Sequence, residues 1–307
     1  MKKYIEAFFV LISAVTAYQE LLIWAQRLGD QYLHSVAYSL EVRPGVYRIL
    51  LPLLSRVLED LTGINAVMWL SCLVVLSGVA LYFSIKYLYT AFIYDDRAEL
   101  IAFLGCEAIY LLILLEPHVY DIPTAALFAT SLGLLARQKY LLFYLMFPIV
   151  TLNRETSFLL TLVYTVCCFA ALPRLHWLNG ILYQGLVYTV LRMLILRQFA
   201  SYPGVDFVLS LPFVLRGLLR EPVKATLLVM ILALVLYFTF KHWSAKPRFL
   251  RLVFLILFPL QVGFYLMFGS PFETRLFAES SALITVLIAY PTGEYNPTQG
   301  VQLARSG

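Results

Sequence analysis

Charged side chains are scarce in this chain: Asp, Glu, Lys and Arg make up 13% of its 307 residues. A soluble domain carries roughly 25%. Hydrophobic residues reach 61%, and the mean hydropathy is +0.81. Too few charges remain to cover a water-facing surface, so a soluble globular domain is excluded. Segments of alternating polarity, which a transmembrane β-barrel requires, do not dominate either. Cysteine is sparse too: Cys72, Cys106, Cys167 and Cys168 all lie in apolar runs. No CxxC or His/Cys spacing points to zinc or to a disulfide framework, and the thiols read as small apolar fillers. The net charge of +5 comes largely from loop residues, and no basic run interleaves with aromatics. Nucleic acid is therefore not an expected partner. No low-complexity tract, linker or internal repeat divides the chain, which reads as one domain.

What is present is a series of apolar runs, and the fold expected from them is an all-α polytopic membrane protein. About ten spans are read, at 4–26, 64–88, 99–115, 122–136, 139–152, 156–172, 177–199, 223–241, 249–268 and 276–290. Together they form a single transmembrane domain over 1–290, followed by a polar tail, 291–307, expected to be disordered. Met1-Lys2-Lys3 and the apolar stretch after it have the character of a secretory signal. That apolar stretch continues through Leu21–Ala25, which favours an uncleaved first span. The pair 122–136 and 139–152, joined by Arg137-Gln138-Lys139, is read either as two short spans or as a tight hairpin that does not fully cross.

With a cytoplasmic N-terminus, Lys2, Lys3, Lys86, Lys139, Lys241 and Lys246 fall inside, and of the seven lysines only Lys224 falls outside. Lys and Arg counted together hardly separate the two orientations. The shortest connections favour this one. Two stretches read as interfacial amphipathic helices on the outer side. In 47–60, Arg48, Pro52, Ser55, Arg56 and Glu59 oppose Ile49, Leu50, Leu53, Leu54 and Val57; the second stretch is 205–220.

Four polar signatures interrupt the apolar background, and the threading puts all of them on the outer side. Ionisable groups that recur near a bilayer tend to mark a site. Glu116-Pro117-His118, Tyr120 and Asp121 place two carboxylates and an imidazole in six residues. Such a group suits deprotonation of a hydroxyl or capture of a divalent cation; a solvated turn is the plainer alternative. In Asn153-Arg154-Glu155-Thr156, capping explains Asn153 and Glu155 at the start of a helix. Arg154 is left over, and either a bound phosphate or carboxylate or a pairing with Glu155 or Glu116 would account for it. Glu273-Thr274-Arg275 offers an acid–base pair before the last span. Arg43 and Arg48, flanking Tyr47, are placed to grip a lipid phosphate or to snorkel to headgroups. Asp30 and Glu41 are acids of the first outer loop.

In this plan the chain resembles the GT-C class of integral-membrane glycosyltransferases, which use polyprenyl-phosphate-linked sugars as donors. The matching features are a first span, a long outer loop with interfacial helices, and many spans with short inner loops. Tyr47–Pro52, Asn153–Thr156 and Glu273–Phe277 also look like motifs of small bacterial membrane proteins. The adjacent acidic pair of that class is missing from the first loop. The resemblance implies catalysis by Asp30, Glu116 or Asp121, and Glu41 less surely. It assigns donor phosphate to Arg154 and Arg275. Tyr47, His118, Tyr120, Asn153, Glu155 and Glu273 complete the candidate substrate contacts. The implied activity is sugar transfer from a polyprenyl phosphate to an envelope glycan, lipid or protein at the outer face of the cytoplasmic membrane. The resemblance fixes no cofactor, and a divalent cation is compatible with it. A transporter or flippase for an anionic or lipid-linked solute, or a non-catalytic subunit of an envelope assembly, remains open. Charges at span ends and the lack of repeated halves count against transport.

Overall fold

The computed structural model describes residues 2–28, 30–41, 45–113, 118–203 and 211–291, and helices are the regular structure of these segments, with no strand among the described residues. Thirteen α-helices follow in order. They are α1 (Lys2–Leu28), α2 (Asp30–Ala37), α3 (Leu50–Thr62), α4 (Ala66–Tyr89), α5 (Ala98–Ile113), α6 (Asp121–Ala136) and α7 (Tyr140–Asn153). Then come α8 (Phe158–Cys167), α9 (Arg174–Gln198), α10 (Leu211–Arg220), α11 (Pro222–Phe240), α12 (Arg248–Phe268) and α13 (Ala278–Ala289).

Each apolar run forms a helix, because in lipid every backbone N–H and C=O must be satisfied within the segment. Five helices, α1, α4, α9, α11 and α12, are long and apolar enough to cross a membrane. The protein is thus a multi-pass helical membrane protein. The other five expected spans form shorter helices: α5 and α6 have 16 residues each, α7 has 14, α8 has 10 and α13 has 12.

Local chemistry sets many of the ends. Asn65 caps α4 by accepting from the Val67 amide at 2.7 Å. Pro222 opens α11, where its missing N–H costs nothing. Gly63 closes α3 in the left-handed conformation, φ 71°, and accepts no side-chain penalty there. The 137–139 connection is the expected tight turn, with Gln138 at φ 56°. Arg137 pins it by donating to the Tyr87 carbonyl (3.1 Å) and the Thr90 hydroxyl (2.8 Å).

The core is built around α4 and α6, with α1, α5 and α13 against them and α7, α8, α9 and α12 beyond. α6 is buried on nearly every side, as an all-round apolar helix must be when neighbours surround it. α1 approaches α4 where Ala17 faces Gly78, a small-residue contact of the kind that lets membrane helices close in. α11 is the opposite case: Val223, Val229, Met230 and Leu234 are exposed, and Thr239 is its one buried residue. Such a surface is suited to lipid.

The first expected amphipathic stretch forms α3. Leu51, Pro52 and Ser55 turn toward the protein, while Leu53, Leu54 and Val57 remain exposed. Arg48 departs from that reading, since it precedes the helix and points inward. The second expected stretch is represented by α10, whereas 204–210 and the tail from 292 onward lie outside the described residues.

Candidate functional site

α6 begins at the centre of the bundle, and its first residue is Asp121, which is fully buried. Arg154 leaves the end of α7 in extended backbone and reaches it, Nη1 to Asp121 Oδ1 at 3.2 Å. Arg154 Nε also lies 3.3 Å from Glu279 Oε1 on α13. The side chain of Arg154 is 1% exposed, so all three charges are enclosed by protein. Glu279 is held further by the Thr156 hydroxyl and by Gln261 Nε2, 3.1 Å from Oε2. Arg275 closes the group from the 3-10 turn before α13, pairing with Glu273 and lying 3.7 Å from Asp121 Oδ1.

A second layer sits beside this one. Arg48 donates to Glu155 Oε1 at 3.3 Å, and its guanidinium lies over the Tyr120 ring. Tyr120 donates to Glu41 Oε2 at 2.5 Å. Tyr47 is buried beneath Arg192, whose Nη1 donates to the Tyr47 carbonyl at 3.3 Å. His118 packs edge-on to Tyr32 and accepts the Asp121 amide through its carbonyl. The same end of the bundle is tied together by Thr274, which donates to the Leu112 carbonyl at 2.6 Å.

Electrostatics separate the carboxylates of this outer layer. Burial raises the Glu41 carboxyl above its ordinary value, against the Tyr120 hydrogen bond and the charge of Arg48. Burial would raise Glu155 as well, but Arg48, Arg154 and Arg192 together hold it down to about 2. Glu41 is therefore disposed to take up a proton, and Glu155 to remain a fixed negative charge.

Several buried polar atoms in the cluster make no hydrogen bond among the described residues. On the donor side these include Arg48 Nε and Arg275 Nε; on the acceptor side, Asp121 Oδ2, Asn153 Oδ1 and Glu155 Oε2. Buried groups left this way are unusual and call for a partner.

The structure brings together most of the residues singled out from the sequence: Tyr47, Arg48, His118, Tyr120, Asp121, Asn153, Arg154, Glu155, Glu273 and Arg275. Arg43 and Glu116 lie outside the described residues, as does the side chain of Asp30. Two local expectations need correction. Asn153 does not cap a helix; it ends α7 and donates across to Thr124 on α6 at 2.8 Å, a tertiary partner in place of a local one. Arg154 pairs with Asp121 and Glu279, while Glu155 turns to Arg48.

Glu279, Gln261 and Arg192 were not anticipated. A carboxylate inside the last apolar run was the available signal for Glu279, because an acid there needs a partner. Among the described residues, no group of three or more His, Cys, Asp or Glu side chains is placed to hold a metal ion. The acids meet arginines and hydroxyls instead. Set against protein-family models, curated proteins and solved structures, the chain matches none of them.

Proposed function

We propose that this end of the bundle is a transferase site for a sugar carried on an isoprenoid phosphate. The observation that carries the reading is the set of buried, unspent polar atoms in one cluster. Arg48 Nε and Arg275 Nε are donors that suit phosphate oxygens. Asp121 Oδ2 and Glu155 Oε2 are acceptors that suit sugar hydroxyls. A ligand bearing both phosphate and hydroxyl groups satisfies the two sets together.

In the proposed reaction, an acceptor hydroxyl oxygen attacks the anomeric carbon of the donor sugar. The bond from that carbon to the phosphate oxygen breaks, and the isoprenoid phosphate departs with the electron pair. Glu41 takes the hydroxyl proton; its raised proton affinity suits a general base. Arg48 and Arg275 stabilise the charge that grows on the departing phosphate. Glu41 thereby takes the first-loop role that the GT-C resemblance gives to an acid. Asp121, held by Arg154 and Arg275, positions rather than accepts. Single in-line attack inverts the sugar centre.

The enclosure of Arg154 favours a second reading, in which the network only packs the bundle of a non-catalytic subunit. Native mass spectrometry of the purified protein separates the two. The wild type should retain an isoprenoid phosphate, and Arg275→Gln should lose it while remaining folded. Glu41→Gln should keep the lipid yet fail to transfer its sugar. Bulk phospholipid alone, equal in all three proteins, would leave the packing network as the account of the cluster.

A further inference from the structure

The opposite end of the bundle holds a different feature, independent of the site above. A cavity of about 580 Å³ opens between α5, α11 and α13. That volume falls within the range of about 300–1,000 Å³ typical of small-molecule sites. Its walls are apolar, supplied by Ile101, Phe238 and Ile288, and its polar lining includes Arg97, Lys241 and Lys246. No carboxylate lines it among the described residues. Arg97 is matched by Asp95 at 2.8 Å, which leaves the two lysines as a surplus of positive charge.

Lys246 is the unusual member of the three. It is 3% exposed, and its ammonium donates to the carbonyls of Phe238 (3.1 Å) and Thr239 (2.6 Å) at the end of α11. An ammonium has three N–H groups, so one remains for another acceptor. Burial without a carboxylate lowers its proton affinity to about 8. An anion in the cavity would offset that cost. The apolar walls continue onto the exposed face of α11, along which Leu234, Met230 and Leu227 stand free of the bundle.

We propose that this cavity binds the phosphate headgroup of an anionic phospholipid, whose acyl chains lie along α11. The cations meet the phosphate at the helix ends, and the apolar walls meet the first methylenes. A free phosphate ion shares the headgroup chemistry but has no use for the walls.

The test is native mass spectrometry of delipidated protein in a neutral detergent, titrated separately with phosphatidylglycerol, phosphatidylcholine and inorganic phosphate. Wild type should bind phosphatidylglycerol in preference to the other two. Losing both surplus cations should weaken that binding by about 30-fold in K241Q/K246Q, from the typical contribution of a basic residue near an anionic lipid. K224Q, at the far end of α11, should bind like wild type and so controls for bulk charge. If the double variant fails to fold, K241Q alone, exposed at the cavity mouth, should still show a several-fold loss. Equal binding by wild type and variant, or equal uptake of the two lipids, would overturn the proposal. Inorganic phosphate binding as tightly as phosphatidylglycerol would overturn the lipid assignment.

Discussion

Removing the Arg154 guanidinium is the sharpest perturbation of the buried network. Arg154→Met keeps much of the side-chain volume and deletes the charge. Asp121 is then left with Arg275 at 3.7 Å as its cationic neighbour. Glu279 keeps its bonds from Thr156 and Gln261 but loses its ion pair, so the two carboxylates share the loss. Breaking a buried pair by deleting one partner typically costs about 3–5 kcal/mol, since an uncompensated charge stays behind. For a chain of this size that corresponds to a fall of roughly 5–8 °C in melting temperature. Asp121→Asn in the same background removes the stranded charge, so the double variant should recover part of the stability. The expected coupling is about 1–3 kcal/mol, the upper range for contacting residues. Thermal unfolding in mild detergent, followed by tryptophan fluorescence, measures Arg154→Met, Asp121→Asn alone and the double variant. A single variant within about 1 kcal/mol of wild type, far below the cost of a stranded charge, would refute this account. So would additivity of the two changes.

Glu155 gives a pH prediction. Its folded-state value near 2 lies below the ordinary 4.5, so its stabilisation is complete above pH 4.5 and drains away as the pH falls from there toward 2. The melting temperatures of wild type and Glu155→Gln should therefore converge across that window, and a constant gap would contradict the Arg48 pairing. Gly78→Val should destabilise by about 1–3 kcal/mol through overpacking, because a Cβ there comes within 2.6 Å of Ala17 Cβ and 2.8 Å of the Tyr110 hydroxyl. Chemical unfolding that leaves this variant unchanged would argue against the close α1–α4 approach. Single cysteines at positions 118 and 139, in a cysteine-free background, should label from opposite faces of the membrane; labelling from one face would remove α6 as a crossing helix.

Much of the architecture was legible because hydropathy is a local property. Every apolar run became a helix, and prolines at 173, 222 and 247 stand at or beside helix starts. The gathering of polar signatures at one end was legible as well, since alternate crossings return the chain to the same side. Partner identities were not. Thr156 and Glu279 are 123 residues apart, and nothing near either one announces the other. Asn153 shows the same limit: its local context fits a cap, yet Thr124 on a neighbouring helix takes its side chain. Crossing number was harder still. Residues 139–152 and 156–172 read as spans of modest length, and their helices proved to be 14 and 10 residues long.

The brevity of α6 has a consequence for depth. Its 16 residues reach about 24 Å, against about 30 Å of hydrocarbon. Its core neighbour α4 and the outlying α9, with 24 and 25 residues, are long enough to traverse the full thickness with some tilt. Because α6 is buried on nearly every side, lipid cannot thin to meet this short axis, and the shortfall is taken up inside the protein as a recess at its end. Asp121, at the tip of that axis, then lies below the surrounding surface and close to the level where the first carbons of a lipid tail begin. An amphiphile arriving sideways through the leaflet could present its polar end at that depth without first leaving the membrane.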